Sequence, residues 1–180
     1  MGLFSDPNEA ARKEKLKALE DKRVAFSQKL VKEGFVPEKM LFLQTANGGF
    51  IALSVFGGQH CIVIGPGFGT DEDFVLERYD HVTVRKEEVF SASEGLAGAF
   101  GFGKKGEAGI DYIITRHDGS ELSLPVVFGR NSWMECDRKK NPLLDVKRRR
   151  GDANIVWDMR PIEKRQMSQL TKMTDAYLGL

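Results

Sequence analysis

Two stretches of this 180-residue chain hold residues of the type and spacing that could meet a phosphate. The first is a glycine-rich run from Gly98 to Gly106. Within it, Gly101-Phe102-Gly103-Lys104-Lys105-Gly106 matches the form G-x-G-x-x-G, and Gly98 to Lys105 differs from a P-loop only in carrying Lys105 where Ser or Thr would meet magnesium. Both motifs depend on a helix that follows the loop and turns its free amides toward the phosphate. Here Gly109 and a β-branched run, Ile110 to Thr115, follow instead. The physical reason for either motif is missing, and Lys104 and Lys105 remain only as cations able to touch an anion. The second stretch carries Arg138-Lys139-Lys140 and Lys147-Arg148-Arg149-Arg150. Lys139, Lys140, Lys147, Arg148, Arg149 and Arg150 are candidate contacts to phosphates of lipid headgroups. Nucleic acid is disfavoured, because no aromatic residue for base stacking lies between Trp133 and Trp157. The competing reading is a solvated basic loop.

The remaining chemistry-bearing residues do not assemble into a motif. His60, His81 and His117 lie in separate segments, without Cys, His or carboxylate at metal-ligand spacing beyond the neighbours His60-Cys61. Cys61 and Cys136 are far apart, and Cys61 sits in an apolar run where thiols are commonly buried. A Cys-His nucleophile pair assembled in space is left open, but no G-x-S-x-G elbow or calcium-loop spacing occurs. The sequence therefore supports no catalytic residue, no metal and no cofactor.

Hydrophobic content of 41% and charged content of 29% are ordinary globular values, and the net charge is +1. The charge is unevenly spread: residues 71–94 hold eight acidic and three basic residues, residues 138–180 eleven basic and five acidic. Pairing of the two regions and recognition of an anion by the basic one are both open. Two cysteines suggest no disulfide framework, and the start, Met1 to Asp6, lacks the apolar core of a signal peptide. A cytoplasmic protein is expected, with peripheral attachment to a membrane as an option.

The elements that would position these residues can be read in order. Residues 8–32 predict a helix, with Pro7 and Glu9 at its start and Gly34 past its end. Its apolar stripe is Leu16, Leu19, Phe26 and Leu30, interrupted by Arg23 at near-heptad spacing. The stripe fits a helix laid across a sheet or against the other terminal helix; alternatively, it serves self-association through a short coiled coil. Short apolar segments with glycine turns follow: Met40 to Thr45, Phe50 to Phe56, Gly57-Gly58, and His60 to Ile64. Val82 and Val84 alternate with Thr83 and Arg85. Ile110 to Arg116, His117-Asp118-Gly119-Ser120 and Glu121 to Phe128 form the clearest hairpin. Trp133 to Cys136 is read as the possible start of a helix, Ala153 to Trp157 as a last strand. A helix opening on Pro161 and reaching Tyr177 follows, with Ile162, Leu170, Met173 and Tyr177 on its apolar face.

This succession of about seven short strands and a closing helix resembles the bacterial branch of the pleckstrin-homology superfold over roughly residues 40–178. The resemblance is carried by Phe74 to Val84 and by the strand, Asp-Gly turn and strand of Ile110 to Phe128. It implies an α+β fold, a small antiparallel barrel or sandwich of about seven strands with a C-terminal capping helix; the N-terminal helix and the basic stretch between Phe128 and Pro161 are added to that plan. Residues 1–36 would be the charged helix and 37–180 a single domain. It also implies a non-catalytic module docking a protein partner or an anionic membrane surface, with self-association as a further kind of contact. Phosphoinositide-binding members carry Lys and Arg around the first hairpin, whereas Phe50 to Ile64 holds only His60. A structural protein assembling through its terminal helices is the alternative, and an enzyme has no motif behind it.

Overall fold

The computed structural model describes residues 7–45, 48–68, 73–91, 107–127, 131–138, 146–149, 152–155, 157–161 and 167–180. Helix α1 spans Pro7–Lys32 and helix α2 Met167–Leu178. Between them lie β1 (Lys39–Thr45), β2 (Phe50–Phe56), β3 (Gln59–Ile64), β4 (Val75–Tyr79), β5 (Val84–Ser91), β6 (Glu107–Thr115) and β7 (Glu121–Val127). Four more strands follow before α2: β8 (Asn131–Arg138), β9 (Val146–Arg149), β10 (Asp152–Ile155) and β11 (Trp157–Pro161). The fold is α+β and its described ladders are antiparallel. One sheet has the order β11–β8–β1–β2–β3–β4, a second β5–β6–β7, and β9 pairs with β10 alone.

Strands β1, β2 and β3 read as nearly unbroken apolar runs because both of their faces are covered. Leu41 and Leu43, Ile51 and Leu53, and Ile62 and Ile64 point one way, into a core shared with Tyr112, Ile114, Leu122, Leu124 and Val126 of the second sheet. Leu170 and Leu178 of α2 complete that core. The intervening residues Phe42, Phe50, Ala52, Cys61 and Val63 point the other way, against Leu30, Phe26 and Phe35. Alternation of side chains along a strand divides each run between the two cores. Burying a Leu or Ile side chain contributes about 1.5–3 kcal/mol, so each strand anchors both layers.

Both helices stop in the same way. Past α1, Phe35 N–H donates to the Leu30 carbonyl (2.8 Å) and Gly34 N–H to Val31 (3.0 Å). Past α2, Leu180 N–H donates to Asp175 (2.9 Å) across Gly179, whose φ is +76°. This left-handed cap satisfies carbonyls that the helix leaves open. At α2 a strand residue also contributes: His60 Nδ1 donates to the carbonyl of Tyr177 at 2.8 Å. A Cβ on Gly179 would stand 2.7 Å from His60 Nε2, and the ring cannot withdraw without leaving Tyr177. Gly179→Ala is therefore expected to cost about 1–2 kcal/mol in urea unfolding, whereas an unchanged midpoint would mean that the cap is dispensable.

Four expectations are corrected. The two sheets share a core, but among the described residues no ladder joins them, so they do not close into a barrel. The described strands number eleven rather than about seven, nine in the two sheets and two in the β9–β10 pair. Residues Trp133 to Cys136 lie in β8, not at a helix start, because β8 pairs with β1 from Lys39↔Asp137 to Thr45↔Asn131. Pro161 is not the first residue of the last helix; it ends β11, opposite Met134. A proline fits there because this strand forms the outer edge of the sheet.

Candidate functional site

Among the described residues, two partly buried groups of ionisable side chains tie elements together, while Arg85 with Glu87 and Glu121 forms an exposed one. On β4, Glu77 Oε1 accepts from Arg116 Nε (2.9 Å), while Tyr79 Oη donates to Glu77 Oε2. His117 stacks on Tyr79 with ring centroids 4.3 Å apart, and its Nε2 donates to the Arg78 carbonyl at 3.0 Å. The turn between β6 and β7 is thus fastened to the edge strand of the larger sheet. Burial presses the Glu77 carboxyl upward, but hydrogen bonds from Arg116 and Tyr79 leave it below its ordinary value. Burial and the Glu77 carboxylate together push the Tyr79 phenol up. Paired in this way, the side chains bind the turn to the strand. The cluster holds structure.

The second place joins β5, β6 and α2. Tyr112 is fully buried, yet its hydroxyl donates to Asp175 Oδ1 at 2.8 Å. Lys86 Nζ meets the same Asp175 oxygen at 2.7 Å and lies 5.4 Å from the centre of the Tyr112 ring. Burial, with Asp175 adding to it, raises the Tyr112 phenol above its ordinary value. A buried aromatic ring with one polar tip has found the partner it needs.

The cysteine reading loses ground at Cys61. Its side chain is buried and burial raises its thiol, which disfavours the thiolate a nucleophile requires. Cys136 holds a register position opposite Met40 and Met159. Among the described residues no three His, Cys, Asp or Glu side chains stand together as metal ligands.

Of the anion-binding candidates, Lys147, Arg148 and Arg149 occupy β9, in register with Asn154, Ala153 and Asp152 of β10. They sit on a hairpin of their own, separate from both main sheets. Lys104, Lys105, Lys139, Lys140 and Arg150 lie outside the described residues. The self-association candidates are turned inward: Leu30 is buried, Phe26 stacks on Phe74 at 5.8 Å, and Leu16 and Leu19 approach Gly48. A coiled coil through these residues would require α1 to leave the sheet. No helix among the described residues is long and apolar enough to cross a membrane.

A cavity of about 120 Å³ lies between α1 and the sheet. Its floor is the row Phe42↔Ala52↔Val63 across β1, β2 and β3, in which Ala52 is the smallest side chain. Phe26, Phe50 and Phe74 stand around it, and Arg23 and Ser27 of α1 line its helical side. Arg23 is engaged with Glu20 and lies 5.6 Å from the Phe50 ring centre. Sequence reading finds the phenylalanines but not the cavity, because the cavity depends on cross-strand register. The two charge clusters are hidden for a similar reason, with Glu77 and Arg116 39 residues apart. Comparison with family models, with curated proteins and with solved structures finds no match for this chain.

Proposed function

We propose that this chain is a non-catalytic interaction module on a pleckstrin-homology-like framework, docking an anionic membrane surface through the β9–β10 hairpin. The observation that carries this reading is the place of the basic residues. Strands β1 to β4 and β5 to β7 are two meanders followed by a helix, the layout of that superfold. The strands β8 to β11 are inserted before the helix, and the hairpin among them bears Lys147, Arg148 and Arg149. The described ion pairs Glu77–Arg116 and Lys86–Asp175 serve to fasten elements together, which leaves the framework without an evident chemical task.

Each basic residue near an anionic bilayer contributes about 1 kcal/mol, so Lys147 to Arg150 would give about 4 kcal/mol, a dissociation constant on the order of 1 mM in lipid. Sedimentation with phosphatidylcholine–phosphatidylserine vesicles at low salt should therefore show weak binding that salt abolishes. Arg148→Glu combined with Arg149→Glu should remove it, with the circular dichroism spectrum unchanged. No binding by the native chain, or equal binding by the double variant, would reject the membrane reading. Binding to an acidic protein face would then become the form of docking to test.

A further inference from the structure

We propose that the cavity between α1 and the sheet is a binding site for a small neutral molecule built on a single aromatic ring. It is independent of the basic hairpin and of the docking function assigned to it. The argument begins with size. A volume of about 120 Å³ approaches that of an engineered apolar cavity of about 150 Å³ that takes up benzene, though this one opens to solvent beside α1. Space of this kind is matched to one ring, and is too small for a nucleotide or a second helix.

The shape of the lining sets the chemistry. Phe26 and Phe74 are stacked at 5.8 Å, Phe42 and Phe50 at 5.6 Å, and Phe50 meets Phe74 edge-on at 5.8 Å. These ring pairs pack against one another as the cavity wall, so the lining that a guest meets is largely aromatic, and aromatic rings pair favourably with one another. The dip is made by Ala52, which sits between Phe42 and Val63 in the cross-strand row. A larger residue there would fill it.

The polar groups at the cavity are already engaged, which argues for a neutral guest. Arg23 Nε donates to Glu20 Oε2 at 2.9 Å, and its guanidinium leans over Phe50. The Ser27 hydroxyl donates to the Arg23 carbonyl at 2.9 Å. A carboxylate entering the cavity would have to shed its water against a mostly apolar lining, with Arg23 already paired to Glu20 at the rim. A neutral ring meets no such demand.

The test is a titration of the full-length chain, labelled with ¹³C at phenylalanine and alanine, with benzene up to its aqueous solubility. Saturable shifts at Phe42, Phe50, Ala52 and Phe74, with nuclear Overhauser contacts from benzene to those side chains, are expected. Benzoate should bind at least tenfold more weakly than benzene. Ala52→Leu should fill the dip and weaken benzene binding at least tenfold, while its melting temperature stays level or rises. If that variant does not fold, the contacts mapped on the native chain still decide. No saturable shift, or shifts confined to labelled side chains outside the cavity such as Phe68 and Ala176, would overturn the proposal. Benzoate binding as tightly as benzene would overturn the neutral-ligand assignment.

Discussion

Arg116→Met is expected to destabilise the protein by about 3 kcal/mol at neutral pH, because it leaves the Glu77 carboxylate nearly buried without its counter-charge. The side chains of the pair are only 17% and 12% exposed, so water can replace little of what is lost. Glu77→Gln beside Arg116→Met should recover much of the loss, since a neutral amide no longer needs the guanidinium. The pH dependence separates this cause from simple loss of packing. In the native chain Glu77 titrates below its ordinary 4.5, so its contribution is present above that value. It is lost as pH falls through the lower folded value. Without Arg116, burial is opposed mainly by the Tyr79 hydrogen bond, so the folded value of Glu77 should rise and acidification should cost the variant less than it costs the native chain. The gap in stability between native chain and variant should thus narrow markedly from pH 7 to pH 3, as measured by urea unfolding at each pH. A gap that stays constant would mean that the packing of the Arg116 side chain, not its charge, fastens the β6–β7 turn to β4.

How much of this was legible in the sequence varies with the cause of each element. The hairpin of β6 and β7 was readable because its turn chemistry is local: Asp118 Oδ1 accepts from the Ser120 amide at 2.9 Å, and Gly119 supplies a positive φ. Helix α1 was readable from its flanking Pro7 and Gly34 and its apolar stripe. What the stripe faces is a tertiary matter. It lies against Phe50, Phe74 and Gly48, all remote in sequence, and a heptad-like spacing serves a sheet as well as a partner helix. The runs Leu41-Phe42-Leu43 and Cys61-Ile62-Val63-Ile64 did contain the missing signal. Their lack of alternation is what burial on two faces requires, and a layer on each side of the sheet follows from it.

The strands after Phe128 were the hardest to read. Ser132 to Asp137 mixes apolar and charged residues without a decisive period, and becomes a strand by pairing with β1 along its length. Propensity yields to tertiary context there. Val146 to Ile155 carries few apolar residues, so its hairpin left no hydrophobic pattern to find. Pro161 suits the first turn of a helix and the edge of a sheet equally, and it stands at the edge of the larger sheet. The charge clusters were unreadable for a different reason. Glu77, Arg116, Lys86, Tyr112 and Asp175 come from four strands or turns and one helix, and nothing local marks them as partners.

Tyr112 sets the other large expectation. Its ring is fully buried in the core shared by both sheets and α2, and Tyr112→Ala should cost roughly 3–5 kcal/mol by leaving a cavity where the ring stood. Tyr112→Phe keeps the ring and deletes one hydrogen bond to Asp175, so its cost should be about 1 kcal/mol. Asp175 still holds Lys86 in that variant, a pair too exposed to contribute much alone, the side chains being 39% and 27% accessible. Combining Tyr112→Phe with Lys86→Met removes both donors to one carboxylate oxygen. Its cost should differ from the sum of the single costs by at least 0.5 kcal/mol, as expected of groups sharing a partner. Additive costs would show that Lys86 and Tyr112 hold α2 independently of one another. Because α2 closes the core at both Leu170 and Leu178, a coupled result would identify Asp175 as the point where the second sheet and the last helix are locked together.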